Sequence, residues 1–178
     1  MGNTLFLTGE FVEAKAHFDK GLALYNAVEH RPLATRFWID SRIMILCWRS
    51  LAAWVLAYPE AAISDSDQAV SDARDIGQAG SLMYALLMSS FTHTFCGNYA
   101  IATALVNEVT AWADEKGSFF WNAIGTLLQA EIFALNDNAT AALQSNIYGL
   151  NALRQTKQTV FIPIYLSWLA RTYAKLGK

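Results

Sequence analysis

An all-α stack of about four helical hairpins is the fold class this sequence predicts, and three observations predict it. A phrase made of a helix end, a tight turn, an aromatic and an alanine recurs along the chain. Its turn positions are almost evenly spaced, and small residues occupy fixed columns around each of them. No stretch alternates apolar and polar residues for long enough to compete as a strand.

The recurrent phrase reads Leu7-Thr8-Gly9-Glu10-Phe11-Val12-Glu13-Ala14 and again Phe95-Cys96-Gly97-Asn98-Tyr99-Ala100-Ile101-Ala102. Degraded copies run Val55-Leu56-Ala57-Tyr58-Pro59-Glu60-Ala61-Ala62 and Leu135-Asn136-Asp137-Asn138-Ala139-Thr140-Ala141-Ala142, and a last one begins at Leu176-Gly177-Lys178. The turns fall at 9, 57, 97, 137 and 177, with spacings of 48, 40, 40 and 40. Fixed periods of this size are the mark of stacked supersecondary units. Five residues after each turn stand Ala14, Ala62, Ala102 and Ala142; seven before it stand Gly2, Ser50, Ser90, Ala130 and Ala170; twelve after it stand Gly21, Ala69, Val109 and Gly149. Small side chains there let neighbouring helices approach closely. Leu5, Phe11, Phe18, Leu22 and Tyr25 fill the space between them in the first copy.

Taken in order, the elements are helices over 1–7 and 10–27, 33–56 and 59–76, 80–95 and 99–115, 118–135 and 139–155, and a final helix over 161–176. Gly77, Gly80, Gly117 and Gly177 punctuate element ends, where positive φ is tolerated. Pro32, Pro59 and Pro163 suit first-turn positions. The eight extra residues of the second copy fall around Asn26 to Arg36, and the simplest expectation is a first helix lengthened by two turns.

Gly2, Gly9, Phe11, Ala14, Phe18, Gly21 and Leu22 together resemble the tetratricopeptide signature, and Leu166, Leu169, Ala170, Tyr173 and Gly177 resemble its first half. The period departs from the usual one of about 34 residues, so each helix is expected to be about a turn longer. The resemblance implies a right-handed α-α superhelix over 1–178 as a single repeat domain. The longer period is similar to that of helical-repeat regions in bacterial signalling ATPases and nucleotidyl-cyclase proteins. It implies a cytoplasmic, non-catalytic interaction or regulatory scaffold, cut from a longer multidomain protein. A second reading is a sensor holding a small apolar inducer and regulating an attached ATPase.

Composition sets outer limits. The chain is 54% hydrophobic and 16% charged with a net charge of −2, against a usual charged share of about 25%. That balance gives no electrostatic footprint for nucleic acid. Ile43 to Ala57 is the most membrane-like stretch, but it is short and contains Arg49 and Ser50, so it reads as a core helix. The first residues carry no basic n-region, and Glu10 and Glu13 interrupt any apolar run, so a signal peptide is not expected. Cys47 and Cys96 lie in apolar runs and read as buried thiols in a reducing compartment. Asn138-Ala139-Thr140 is a glycosylation triplet without other signs of secretion.

No residue set points to catalysis, cofactor or metal. The glycines stand at repeat turns, with no strand before them to build a phosphate loop. His93 and Cys96 have a ligand-like spacing but lack a second pair, and zinc needs about four ligands. His93 is therefore expected in the core or a groove, His17 facing solvent and His30 in the irregular linker. Asp65, Asp67, Asp72 and Asp75 are expected on a solvated helix face. What remains is a binding surface. The family's groove columns fall on Phe6, Met44, Cys47, Leu51, Trp54, Tyr84, Leu87, Phe91, Thr94, Leu127, Glu131, Ser167 and Arg171. The occupant implied is a protein or peptide, or another domain of the parent chain. The apolar members form either an open groove or core. The C-terminal helix, with Ile164, Leu166, Trp168, Leu169 and Tyr173, is expected to be left with little cover, and a homodimer through such cut ends follows from that expectation.

Overall fold

The computed structural model describes residues 1–158 and 161–177, and among them every regular element is helical. The chain divides into two compact units, Met1–Asn98 and Tyr99–Lys178.

The first unit contains α1 (Gly2–Leu7), α2 (Phe11–Ala23), α3 (Ala27–His30), a 3-10 turn (Arg31–Leu33), α4 (Ala34–Phe37), α5 (Ser41–Val55), α6 (Pro59–Ile76) and α7 (Ala79–Phe95). Each column alanine does what its size allows: Ala14 and Ala62 are fully buried. Ser50 is buried too, and its hydroxyl donates to the Ala62 carbonyl at 2.8 Å and lies 2.7 Å from the Thr92 hydroxyl. One small polar residue thus ties α5 to both α6 and α7 while satisfying its own buried oxygen. At Gly2 a Cβ would stand 2.5 Å from the Phe18 ring, so α1 and α2 meet only because glycine is there.

The second unit contains α8 (Tyr99–Glu115), α9 (Phe119–Leu135), α10 (Ala139–Gln155) and α11 (Ile162–Lys175). Ala102, Ala130 and Ala142 are fully buried, as is Val109. Gly149 brings α10 onto α9, where a Cβ would lie 2.7 Å from Leu127 Cγ. The last member of the small column, Ala170, is exposed instead.

All five aligned turns are left-handed: φ is 91° at Gly9, 65° at Ala57, 79° at Gly97, 58° at Asp137 and 67° at Gly177. Three of them, at Gly9, Ala57 and Gly97, are closed by the backbone in one way. At the Gly97 turn, the Gly97 N–H donates to the Thr94 carbonyl at 3.1 Å and the Asn98 N–H to the His93 carbonyl at 2.8 Å. The same pair of bonds recurs around Gly9, Ala57 and Gly117. This Schellman closure satisfies the last helical carbonyls and reverses the chain in two or three residues. A second left-handed series at Gly77, Gly117 and Lys157 repeats at the same 40-residue interval.

Three expectations need correction. Residues 33–56 are not one long helix. The short helical turns over 27–37 end where Trp38 turns left-handed at φ 70°, and α5 starts afresh from Asp40. The Asp40 carboxylate caps α5 by accepting from the Arg42 N–H at 2.8 Å. The acidic run is not merely solvated. Arg49 donates twice to Asp65 at 2.7 and 2.6 Å and once to Asp19 at 2.9 Å, Arg42 pairs with Asp72 at 2.6 Å, and Asp67 lies 3.1 Å from His93 Nε2. Asp75 alone of the four has the exposed position without a described pairing to another element. Finally, Trp168 is buried, edge-on to Tyr165 at 5.3 Å; the exposed apolar member of α11 is Leu166, with Ile164, Leu169 and Tyr173 half-buried.

Other expectations agree with the structure. Ser41–Val55 is a core helix, and no helix among the described residues is long and apolar enough to cross a membrane. Pro59 opens α6 and Pro163 lies in the first turn of α11.

Candidate functional site

The predicted groove residues divide between the units. In the first unit, α5 carries Met44, Cys47, Leu51 and Trp54, and α7 carries Tyr84, Leu87, Phe91 and Thr94. Here α5 and α7 pack against one another, and Cys47, Leu51, Leu87, Phe91 and Thr94 are buried. Of the two alternatives the sequence left open, these five take the core one. Burial pushes the thiol of Cys47 and the phenol of Tyr84 well above their ordinary ranges. Met44, Tyr84 and Phe6 are half-buried, and Trp54 is the exposed member. Its indole stacks on Phe95 at 4.7 Å and donates to the Phe95 carbonyl at 3.2 Å, which fixes the ring at the rim of α7.

In the second unit, Leu127 and Glu131 lie on α9, and Ser167 and Arg171 on α11. Glu131 and Arg171 stand 40 residues apart in one column, and the structure joins them: Arg171 donates to Glu131 Oε1. Glu131 is 3% exposed, while the Arg171 side chain remains 45% exposed. The other carboxylate oxygen, Oε2, is buried with no hydrogen-bond partner among the described residues. A polar oxygen left without a donor is costly to bury. Below this pair, Lys175 reaches back to the Ala134 carbonyl at 2.6 Å and Asp137 at 3.0 Å.

The histidines fall as their sequence positions suggest. His93 is buried, its Nε2 on Asp67 and its Nδ1 3.4 Å from the Asn98 amide. If the Asn98 amide donates to Nδ1, the ring proton sits on Nε2 and points to Asp67. His17 is exposed and His30 lies in the linker. Among the described residues no group of three or more histidines, cysteines or carboxylates is placed to hold a metal ion. Cys47 and Cys96 are both free, the first buried and the second half-buried.

One feature of the second unit was not anticipated. A cleft of about 290 Å³ opens at the turn between α8 and α9, lined by Asp114, Gly117, Ser118, Phe119 and Asn122, with Tyr148 and Ala152 of α10 opposite. Phe119 is 85% exposed and Tyr148 64%. Leaving a phenylalanine in water forgoes about 1.5–3 kcal/mol. Asn122 Nδ2 donates to Asp114 Oδ1 at 2.6 Å and orients that carboxylate. Asp114 and Glu115 occupy the last turn of α8, which has no basic residue. Acids are disfavoured at that end of a helix by about 0.3–1 kcal/mol each. The sequence holds the signal: the same column carries Arg74 and Arg154, 40 residues to either side. A second cleft, about 500 Å³ and lined by Val12, Lys15, Leu56, Tyr58 and Ala61, opens in the first unit.

No protein-family model matches the chain, and no curated protein matches it significantly.

Proposed function

We propose that this chain is a tetratricopeptide-like repeat scaffold, a right-handed superhelix that works by binding a polypeptide, and that it serves a larger bacterial signalling protein of ATPase or cyclase type in the cytoplasm. The observation that carries the binding reading is the Glu131–Arg171 pair. It lies in the first-helix column that lines the binding face in tetratricopeptide repeats, and it presents a half-exposed guanidinium held by a buried carboxylate. Arg171 is exposed enough to donate to a carbonyl or carboxylate of a partner, while Glu131, buried behind it, holds the guanidinium in place. The repeated turns and buried alanines support the scaffold half of the reading. The sequence offers no nucleophile–base pair, so the chemistry of the parent belongs to its other domains. Both clefts described above open to solvent, which favours a polypeptide side chain over a sequestered inducer.

Overlapping peptides covering the rest of the polypeptide encoded by the complete reading frame test this by fluorescence anisotropy against the purified chain. At least one peptide binds, and Glu131→Gln together with Arg171→Ala weakens it about tenfold, as expected for loss of a charge-assisted contact. Binding by none of them, or binding indifferent to both substitutions, removes the proposal.

A further inference from the structure

Three departures from the repeat converge on the α8–α9 turn. Asp114 stands where the neighbouring repeats carry Arg74 and Arg154. Phe119 stands in the column of Ala79, and Tyr148 in that of Gln68 and Glu108. None of the three is needed for a left-handed helix end, since Gly77 makes one without them, and each is unfavourable or neutral where it stands. Local rules broken together at one place, with no gain in packing, mark function. We propose that this cleft binds the cationic side chain of an arginine or lysine on a partner polypeptide.

The charge, shape and size of the cleft agree on that class of ligand. The α8 C-terminus directs its partial negative charge into the cleft, and Asp114 adds a full one. Glu115 and Lys116 offset each other in a 2.7 Å ion pair, with the ammonium 5.3 Å from the Trp112 ring centre, so Asp114 sets the sign. The Asn122 amide donates to one oxygen of Asp114, and the residue is exposed. Exposed Phe119 and Tyr148 line the cleft from α9 and α10, and aromatic rings attract ammonium and guanidinium groups. Guanidinium adds a planar fork suited to a carboxylate. A volume of about 290 Å³ lies at the lower edge of small-ligand sites, which is room for one side chain. The site is separate from the Glu131–Arg171 pair and stands without it.

The whole chain, isotopically labelled, is titrated with a glycine-flanked arginine peptide and with its citrulline counterpart, which has the same shape and no charge. The arginine peptide shifts the amide resonances of Gly117, Ser118 and Asn122 saturably, and added salt weakens the effect. The citrulline peptide leaves them in place. Asp114→Asn weakens the arginine peptide about tenfold. Asp114→Arg, which restores the residue of the column, abolishes the shifts and raises Tm. Were Asp114 a structural residue, Asp114→Arg would lower Tm, and that result overturns the proposal. So do equal binding of both peptides and retention of the shifts in Asp114→Arg. Tighter binding by tetramethylammonium than by the peptide makes the occupant a free ammonium and also overturns it.

Discussion

At the end of α6, Gly77 takes φ 69° with Arg74 in the last helical turn; at the end of α8, Gly117 takes φ 63° and Asp114 holds Arg74's column. Both glycines turn left-handed, but the Gly77 N–H donates to the Ala73 carbonyl and the Gly117 N–H to that of Asp114, and the side chains that follow differ further. At Gly77 the following residue, Gln78, faces inward: its amide donates to the Trp38 carbonyl at 3.0 Å and its oxygen caps α7 by accepting from the Ser81 N–H at 2.9 Å. At Gly117 the following Ser118 makes no side-chain cap, and an exposed phenylalanine comes next. The first turn is committed to holding an irregular linker, the second is left open beside a cleft. A repeat therefore fixes where chains reverse and leaves the flanking side chains free to specialise.

The largest effect that would sharpen this contrast is at Gly80. A Cβ there runs into the Trp38 carbonyl oxygen, whereas the second unit carries Phe120 in the same column. Gly80→Ala should cost roughly 2–3 kcal/mol, the upper part of the overpacking range, measured by urea denaturation. A cost below about 0.5 kcal/mol, the usual surface value, would mean that the linker is not seated on Gly80.

Next come the turn residues themselves. Gly117 has open space around its missing Cβ, so Gly117→Ala isolates the conformational term and should destabilise by about 1 kcal/mol. Ala57 already sits at φ 65°, so Ala57→Gly should be stabilising by a few tenths to about 1 kcal/mol. Equal and same-signed changes in Tm for the two variants would show that the turns are not built alike.

A smaller effect separates the units by pH. Burial pushes the Asp19 carboxyl up, but the hydrogen bonds from Lys15 and Arg49 outweigh it and hold the group below its ordinary value of 3.8. A lowered carboxylate pKa contributes stability that is present above the unfolded value and is lost as pH falls through the folded one. The Asp19 carboxylate is 44% exposed, so screening keeps this to a few tenths of a kcal/mol. Asp19→Asn should therefore lower stability slightly at pH 7 and leave it unchanged near pH 2. An equal loss at both values would show that packing, and not charge, explains Asp19.

The smallest effect is kinetic. Cys47 is buried and its thiol pushed far up by desolvation, while Cys96 is half-buried at a turn. Iodoacetamide should label Cys96 first, with Cys47 following only on unfolding. Equal native rates would contradict the close packing of α5 on α7.

Much of this was legible in the residues. Helix ends at 9, 57, 97, 137 and 177 could be aligned because each turn is closed by bonds within six residues, and local chemistry repeats wherever local sequence does. The buried alanines were legible because a column that accepts one residue type has a steric reason. The split of the linker was only partly so: Asp40 before an apolar run is a cap signal that the expectation of a lengthened helix passed over.

The sequence by itself determined the helical class, the period and the small residues at the crossings, because these depend on contacts near in the chain or repeated along it. Tertiary structure alone decided the rest. Trp38 can hold a left-handed φ because Gln78, 40 residues away, binds its carbonyl, and Asp40 is buried because Tyr25 and Ser81 satisfy it at 2.8 Å each. Likewise Cys47, Leu51, Leu87 and Phe91 became core and not groove when α5 met α7. An apolar face carries the same residues whether it is covered or open, and only the helix that arrives against it decides between them.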